Sequence, residues 1–458
     1  MNAVFFNEYI QTSPRFMTDF TPWTLFVDTG IISVLLLLGK LMRVKIRFIQ
    51  RLFIPPSLLA GFIGLSLGPH GFGIIPLSTQ TGTYAGILIA FIFGALPLIS
   101  QKAAKRDADN IGSMWAYSQA GMLLQWAFGG LLGLLVLNRI WPLNPAFGIT
   151  MPSGYCGGHG TAAIGQAFSQ FGYDEILTLA MTAATFGIVA AVIIGLIIIK
   201  WGTKKGHTSF LANYDDLPHE LQTGLLPGDK RESMGESSCS SISIDPLTFN
   251  LIIVAVIALG GYCISKTVSH FMPGFELPVF SCAFVVGIFI KKIFDKTRTS
   301  DYVCPQTIGH ISGAFTDFLV AFGIASIKIS VVIEYIIPLL ILLVSGLIAT
   351  LIYVLVMARK LMKECWFEKA IFTWGWFTGT MAMGIALLRV ADPKMRSRCL
   401  DNYALAYLFI APVEISLITF APVAFLNGYG LVFTGICLAA GLAVLATAYI
   451  KGWFIRKQ

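Results

Sequence analysis

Residues 153–165 read SGYCGGHGTAAIG. The stretch sits inside 146–166, which is apolar enough for a membrane interior but built on Gly, Ala and Thr rather than Leu and Ile. Gly157, Gly158 and Gly160 flank His159 and let the backbone come close to a ligand. Carbonyls freed by an unwound turn can coordinate a cation, amides can hold a carboxylate, and Ser153 and Thr161 add hydroxyls. The plainer reading is a Gly-rich helix contact with His159 as a hydrogen-bonded structural residue. A second stretch of the same kind, Thr373 to Gly384, carries Gly375, Thr378, Gly379 and Thr380, with Arg389 close behind. Both contain G-T-x-A-x-G, at 160–165 and 379–384. The expectation is two re-entrant loops, at 146–166 and 370–390. Irregular backbone at membrane depth persists only where protein or a water-filled cavity satisfies it.

Working outward, apolar runs near 20 residues predict spanning helices. They fall at about 24–42, 52–68, 83–99, 111–137, 176–200, 247–268, 276–294, 308–327, 331–357, 402–426 and 430–450. With the N-terminus outside and neither Gly-rich stretch crossing, all of the 32 Lys and Arg except Arg15, Arg139, Lys266 and Lys328 face the cytoplasm. That asymmetry is the positive-inside pattern, and it ends with a cytoplasmic C-terminus. The predicted fold is an all-α integral membrane protein with about eleven transmembrane helices.

Composition agrees. The chain is 56% hydrophobic and 12% charged, with a mean hydropathy of +0.76. Soluble domains carry about twice that charge. The net charge of +8 lies in short loops, which argues for membrane orientation and against nucleic acid. The eight cysteines are scattered without metal or disulfide spacing, and the first 20 residues lack the pattern of a cleavable signal. No zinc-protease, P-loop or nucleophile-elbow motif points to an enzyme. A membrane-embedded enzyme and a passive channel stay open as rivals.

The polar stretch 201–246, with its serines from Ser237 to Ser243, reads as a cytoplasmic linker. It divides an extracytoplasmic segment 1–23 and a first repeat 24–200 from a second repeat 247–426 and an added helix and tail 427–458. The halves echo each other. Pro55, Ala60 and Gly64 recur as Pro278, Ala283 and Gly287, and Phe93-Gly94 recurs as Phe322-Gly323. Five spans per half would invert the second copy, a secondary-transporter pattern. Charged groups inside spans tend to face a cavity or a partner, which singles out Asp317 and Glu414. Asp28 and Glu334, near membrane edges, are expected to be solvated.

Taken in order, SGYCGGHGTAAIG at 153–165, ATFGIVAAVIIG at 184–195, IPPSLLAG at 54–61 and FELPVFSCAFVVGIFI at 275–290 resemble the bacterial sodium:glutamate symporter family. The resemblance implies Na⁺-coupled uptake of an acidic amino acid, two inverted five-helix repeats each with a Gly-rich re-entrant loop, and a homodimer in the bacterial inner membrane, surrounded by lipid. It places Gly157, Gly158, His159, Gly160 and Thr161 in the first loop of the translocation site. The second loop departs from the family's glycine-dense pattern, since GWFTGTMAMGIALLRV carries Trp374, Trp376 and Phe377. The expected site comprises Ser153, Gly157, Gly158, His159, Gly160, Thr161, Gly375, Thr378, Gly379, Thr380, Asp317, Arg389 and Glu414. Thr161, Thr380 and Asp317 are the candidate Na⁺ ligands, and Arg389 is a candidate partner for the substrate carboxylate. No cofactor is expected beyond the coupling ion. The alternative is a proton- or sodium-coupled carrier of di- or tricarboxylates using Asp317 or Glu414. Either would work by one repeat moving against the other.

Overall fold

The computed structural model describes residues 20–51, 54–99, 108–162, 164–169, 171–210, 233–240, 242–271, 279–392 and 396–455, with Leu225 and Leu277 in addition. Pro278, most of the segment 1–23 and much of the linker 201–246 lie outside the described residues. Within them the chain is helical, with no strand. The first half comprises α1 (Pro22–Lys45), α2 (Pro56–Leu67), α3 (Thr81–Ile99), α4 (Ala108–Leu132, prolonged to Ile140 through a π turn) and α8 (Asp174–Lys204). Between α4 and α8 lie three short helices, α5 (Thr150–Tyr155), α6 (His159–Ala162) and α7 (Gly165–Ser169). The second half comprises α9 (Pro246–Phe271), α10 (Val279–Thr297), α11 (Pro305–Ala325), α12 (Ile336–Leu361), α13 (Trp366–Thr378), α14 (Met381–Ala391), α15 (Cys399–Leu426) and α16 (Gly430–Ile450).

Nine helices of the described residues are long and apolar enough to cross a bilayer: α1, α3, α4, α8, α9, α11, α12, α15 and α16. The eleven predicted from hydropathy differ at two places. The run 52–68 yields only the 12-residue α2, about 18 Å long at 1.5 Å per residue. It is cut at one end by Pro55-Pro56 and closed at the other by Gly68. A Cβ on Gly39 of α1 would lie 2.5 Å from Pro56 O, and the loop after α2 places Ser78 against Asp28, eleven residues earlier on α1. The run 276–294 becomes α10, whose second half carries Lys291, Lys292, Asp295 and Lys296.

Asp28 is not solvated. It is fully buried and accepts from Ser78 N (2.9 Å), Ser78 Oγ and Tyr84 OH (2.9 Å). Three donors satisfy a carboxylate that burial alone would penalise by several kcal/mol. The contact fixes the loop 68–80 to α1. Glu334 is exposed, as its position implied.

Small residues set the contacts between halves. Gly61 and Gly64 of α2 lie against Ile324 and Ala325 of α11. Reciprocally, Gly287 of α10 lies against Gly94 O and Pro97 of α3, and Gly94 itself faces Ile257 and Ala283. Each half therefore supplies the surface that the other half's small-residue face needs, as happens between membrane helices whose backbones approach closely. These helices, with α1 and α9, form one bundle. A second bundle is built on α4, α8, α12 and α15, with the short helices between them, and its core runs on without a break into residues of α3, α10 and α11.

In that second bundle α4 is central. Gln125 Nε2 donates to Thr350 Oγ1 and to Phe377 O, both at 2.9 Å, Tyr117 OH donates to Val354 O (3.0 Å), and Tyr353 OH returns to Tyr117 O (2.7 Å). These bonds tie α4 to α12 and α13, on either side of the candidate site.

Candidate functional site

Two folded segments converge inside the second bundle. The first runs from Pro145 to Ser169 and has its ends tied together, since Asn144 Nδ2 donates to Glu175 Oε1 at 3.1 Å. The salt bridge Lys328–Asp174 (3.4 Å) lies beside the same start of α8. Its entering arm is buried from Ala146 to Cys156. Gly148 meets Gly129 and Gly133 of α4, Gly154 meets the Ala184 backbone of α8, and Tyr155 OH donates to Leu343 O of α12 (2.8 Å). The arm ends at Cys156, and the chain turns through Gly157 (φ 101°) and Gly158 (φ 65°) before α6. Both values lie in the region that side chains disfavour, so glycine is required there.

The second segment is an antiparallel pair, α13 and α14. A Cβ on Gly375 would lie 2.6 Å from Gly384 N, and one on Gly384 would lie 2.5 Å from Phe372 O. Gly375 therefore serves close approach of the two arms. The turn is Gly379 and Thr380. Thr380 caps α14 by accepting from Met383 N (3.3 Å), while Thr378 Oγ1 is engaged with Trp374 O (2.7 Å). The three aromatics that depart from the family's glycine-dense loop lie behind this turn. Trp374 Nε1 donates to Ala191 O of α8 (3.0 Å), Trp376 meets Tyr403 of α15 edge-on, and Phe377 covers Gly121 of α4.

The two turns meet. A Cβ on Gly158 would lie 2.6 Å from Thr380 Cγ2 and 3.1 Å from Gly379 O. In space the Gly157-Gly158 turn therefore opposes Gly379-Thr380. The G-T-x-A-x-G match had aligned Gly160-Thr161 with that pair.

His159 is fully buried, with Nε2 3.0 Å from Thr185 Oγ1 of α8. The Thr185 hydroxyl gives its proton to Met181 O (2.9 Å). Its oxygen can then only accept from His159, which fixes the imidazole as the Nε2–H tautomer and leaves Nδ1 a lone-pair acceptor. Nδ1 has no hydrogen-bond partner among the described residues. The ring also faces Gly323 of α11, its Cδ2 3.5 Å from where a Cβ would stand. Thr161 is buried beside it.

Glu414, midway along α15, is buried and accepts from Tyr407 OH at 3.0 Å through Oε2. Its Oε1 points at Gly157. Glu414 thus joins the turns from a third element. Sequence reasoning missed Tyr407 and Thr185. Tyr407 and Glu414 are seven residues apart, two helical turns on one face, and that spacing was the available signal. Thr185 carried none.

The structure separates the remaining candidates from the turns. Asp317 is on the outer part of α11, where it faces Ser57 and the charge of Lys40. Arg389 is exposed on the last turn of α14, nine residues from Thr380 and so about 13 Å along the axis. Ser153 is buried within α5, its hydroxyl spent on Thr150 O (3.1 Å), and a Cβ on Gly160 of α6 would meet nothing within 4 Å among the described residues.

Two broken Gly-rich segments meeting inside a bundle of apolar helices long enough to cross a bilayer define a multi-pass membrane protein. Comparison with known proteins names its family. The sodium/glutamate symporter family profile matches residues 25–386, and the chain belongs to that family. The sodium/glutamate symporters of Escherichia coli (strain K12) and Shigella flexneri are each 24% identical to it over 275 residues, 57% of this chain and 61% of theirs. Among solved structures, the sodium proton antiporter from Methanocaldococcus jannaschii at pH 8 superposes with a TM-score of 0.42 at 15% identity. It covers 90% of this chain and 100% of its own.

Proposed function

We propose that this protein is a sodium-coupled symporter of glutamate or a related small carboxylate, in the inner membrane of a bacterium. The observation that carries the reading is the contact of the two turns, Gly157-Gly158 against Gly379-Thr380, beside a buried His159 and Glu414. Membership of the family supports the same activity. Both segments act as re-entrant loops, one from each face, and the tied ends Asn144 and Glu175 support this for the first. The substrate carboxylate binds backbone amides at the turns, with the first turn of α14 contributing its positive end. The lone pair of His159 Nδ1 accepts from the substrate amino group. Arg389 and Asp317 have no part in this account, because neither lies near the turns.

The halves are inverted repeats, joined by the cytoplasmic linker 201–246, with the N-terminus outside. The reciprocal contacts Gly64–Ala325 and Gly287–Gly94 support that symmetry. They also revise what moves. Each half's helices are divided between the two bundles, so the bundle holding both loops moves as one body against α1–α3 and α9–α11. A homodimer is the proposed assembly.

The test is labelled glutamate uptake into proteoliposomes, with and without an inward Na⁺ gradient. Na⁺-dependent accumulation that unlabelled glutamate competes away is the expected result. Uptake driven by a proton gradient with Na⁺ absent, or competed by citrate and not by glutamate, overturns it in favour of a di- or tricarboxylate carrier.

A further inference from the structure

We propose that Glu414 Oε1 and Thr161 Oγ1 form the seat of the coupling cation, on either side of the side-chain-free position Gly157, with Tyr407 holding the carboxylate in place. The proposal rests on the symport reading above and assigns its ion to particular atoms.

Glu414 is 5% exposed and lies in the interior of the longest helix of the second half. Among the described residues its charge forms no salt bridge. The salt bridge found there is Lys328–Asp174, and the hydrogen bond that Glu414 receives comes from the neutral Tyr407 hydroxyl. An ionised carboxylate at membrane depth costs several kcal/mol unless a cation or proton compensates it. Tyr407 engages Oε2 and so turns Oε1 toward the first loop.

Gly157 shows what Oε1 faces. A Cβ there would collide with Thr161 Oγ1 and stand 3.4 Å from Glu414 Oε1. The two oxygens thus both lie within 3.4 Å of one point beside Gly157. The Thr161 side chain is 2% exposed. A carboxylate oxygen and a hydroxyl are hard donors suited to a hard cation. The glycine at 157 has a double reason. Its φ of 101° excludes most side chains, and any side chain would fill the seat.

The experiment is equilibrium binding of ²²Na⁺ to the purified full-length protein in detergent, without amino acid. Saturable binding to the wild type is expected. Glu414→Gln and Thr161→Val each weaken it about ten-fold or more, the equivalent of about 1.4 kcal/mol. Thr161→Ser recovers most of the affinity. Tyr407→Phe weakens binding by a smaller factor, because the carboxylate stays but loses its orientation. The Thr161→Val and Thr161→Ser pair carries the test if Glu414→Gln does not fold. Wild-type ²²Na⁺ affinity in Thr161→Val overturns the seat, as does a wild type that binds no ²²Na⁺. So does a Glu414→Gln protein that keeps ²²Na⁺ but loses glutamate while still binding glutarate, since the carboxylate would then serve the substrate amino group. Normal ²²Na⁺ binding with no glutamate uptake in vesicles would leave the seat standing and remove the glutamate reading.

Discussion

Gly158 stands so close to Thr380 that a single added carbon would come within 2.6 Å of the threonine methyl. The two residues are more than two hundred positions apart, and each is the apex of its own turn. Gly158→Ala would both press the loops apart and place a side chain at φ 65°, a combined strain of about 1–3 kcal/mol. We expect folded, inserted protein whose uptake rate falls about ten-fold or more. Gly160→Ala, which meets nothing within 4 Å, should lose much less in the same uptake assay.

Replacing His159 by its two amide mimics separates its nitrogens. Gln places an amide near Nε2 and can keep the bond to Thr185, but it has no acceptor where Nδ1 stands. Asn does the reverse. His159→Gln should keep thermal stability and raise the KM for glutamate about ten-fold, with a smaller change in kcat, because a lost hydrogen bond to a charged group costs about 1.5–3 kcal/mol. His159→Asn should hold the KM more closely and melt at a lower temperature. Equal KM values for His159→Gln and wild type would show that the lone pair has no part in binding.

Trp374 binds the second loop to α8 through its indole N–H and the Ala191 carbonyl. Trp374→Phe keeps an aromatic ring but loses that bond, while the Ala191 carbonyl keeps its helical partner within α8, so the cost is about 0.5–1.5 kcal/mol. The expected outcome is a lower melting temperature in detergent with an unchanged Na⁺ requirement for uptake. A change in the half-saturating Na⁺ concentration would mean that the aromatics behind the turn reach the site.

Asp317→Asn supplies the converse test. The residue faces Ser57 and Lys40, away from the turns. Half-saturation by Na⁺ and the coupling of uptake to the gradient should therefore stay within about two-fold of wild type, inside the usual scatter of surface changes. Loss of coupling in this variant would bring Asp317 back among the ion ligands.

Much of this molecule could be read from its sequence because a bilayer constrains composition so strongly. Long apolar helices, basic loops and the two glycine clusters are local signals, and the SGYCGGHGTAAIG stretch was the most specific of those that led to the family. Three kinds of information were not local. Which face of α11 or α14 turns inward is a tertiary matter, so Asp317 and Arg389 were plausible until their helices were placed. The burial of Asp28 depends on Ser78 and Tyr84, fifty and more residues away, which nothing near Asp28 announces. The G-T-x-A-x-G match aligns Gly160-Thr161 with Gly379-Thr380, whereas the turns that meet are Gly157-Gly158 and Gly379-Thr380, a contact between distant segments that no local repeat encodes.

The reciprocal contacts of Gly64 on Ala325 and of Gly287 on Gly94 have a consequence for how the protein is made. When the ribosome has finished the first half, α2 and α3 are in the membrane with their glycine faces bare, and the helices that cover them are still more than fifty codons away. The nascent chain must wait as a loose assembly, open to lipid and to quality-control proteases, until Ala325 has been translated. A gene split between Lys204 and Pro246 should therefore yield a stable protein only when both fragments are produced in the same cell.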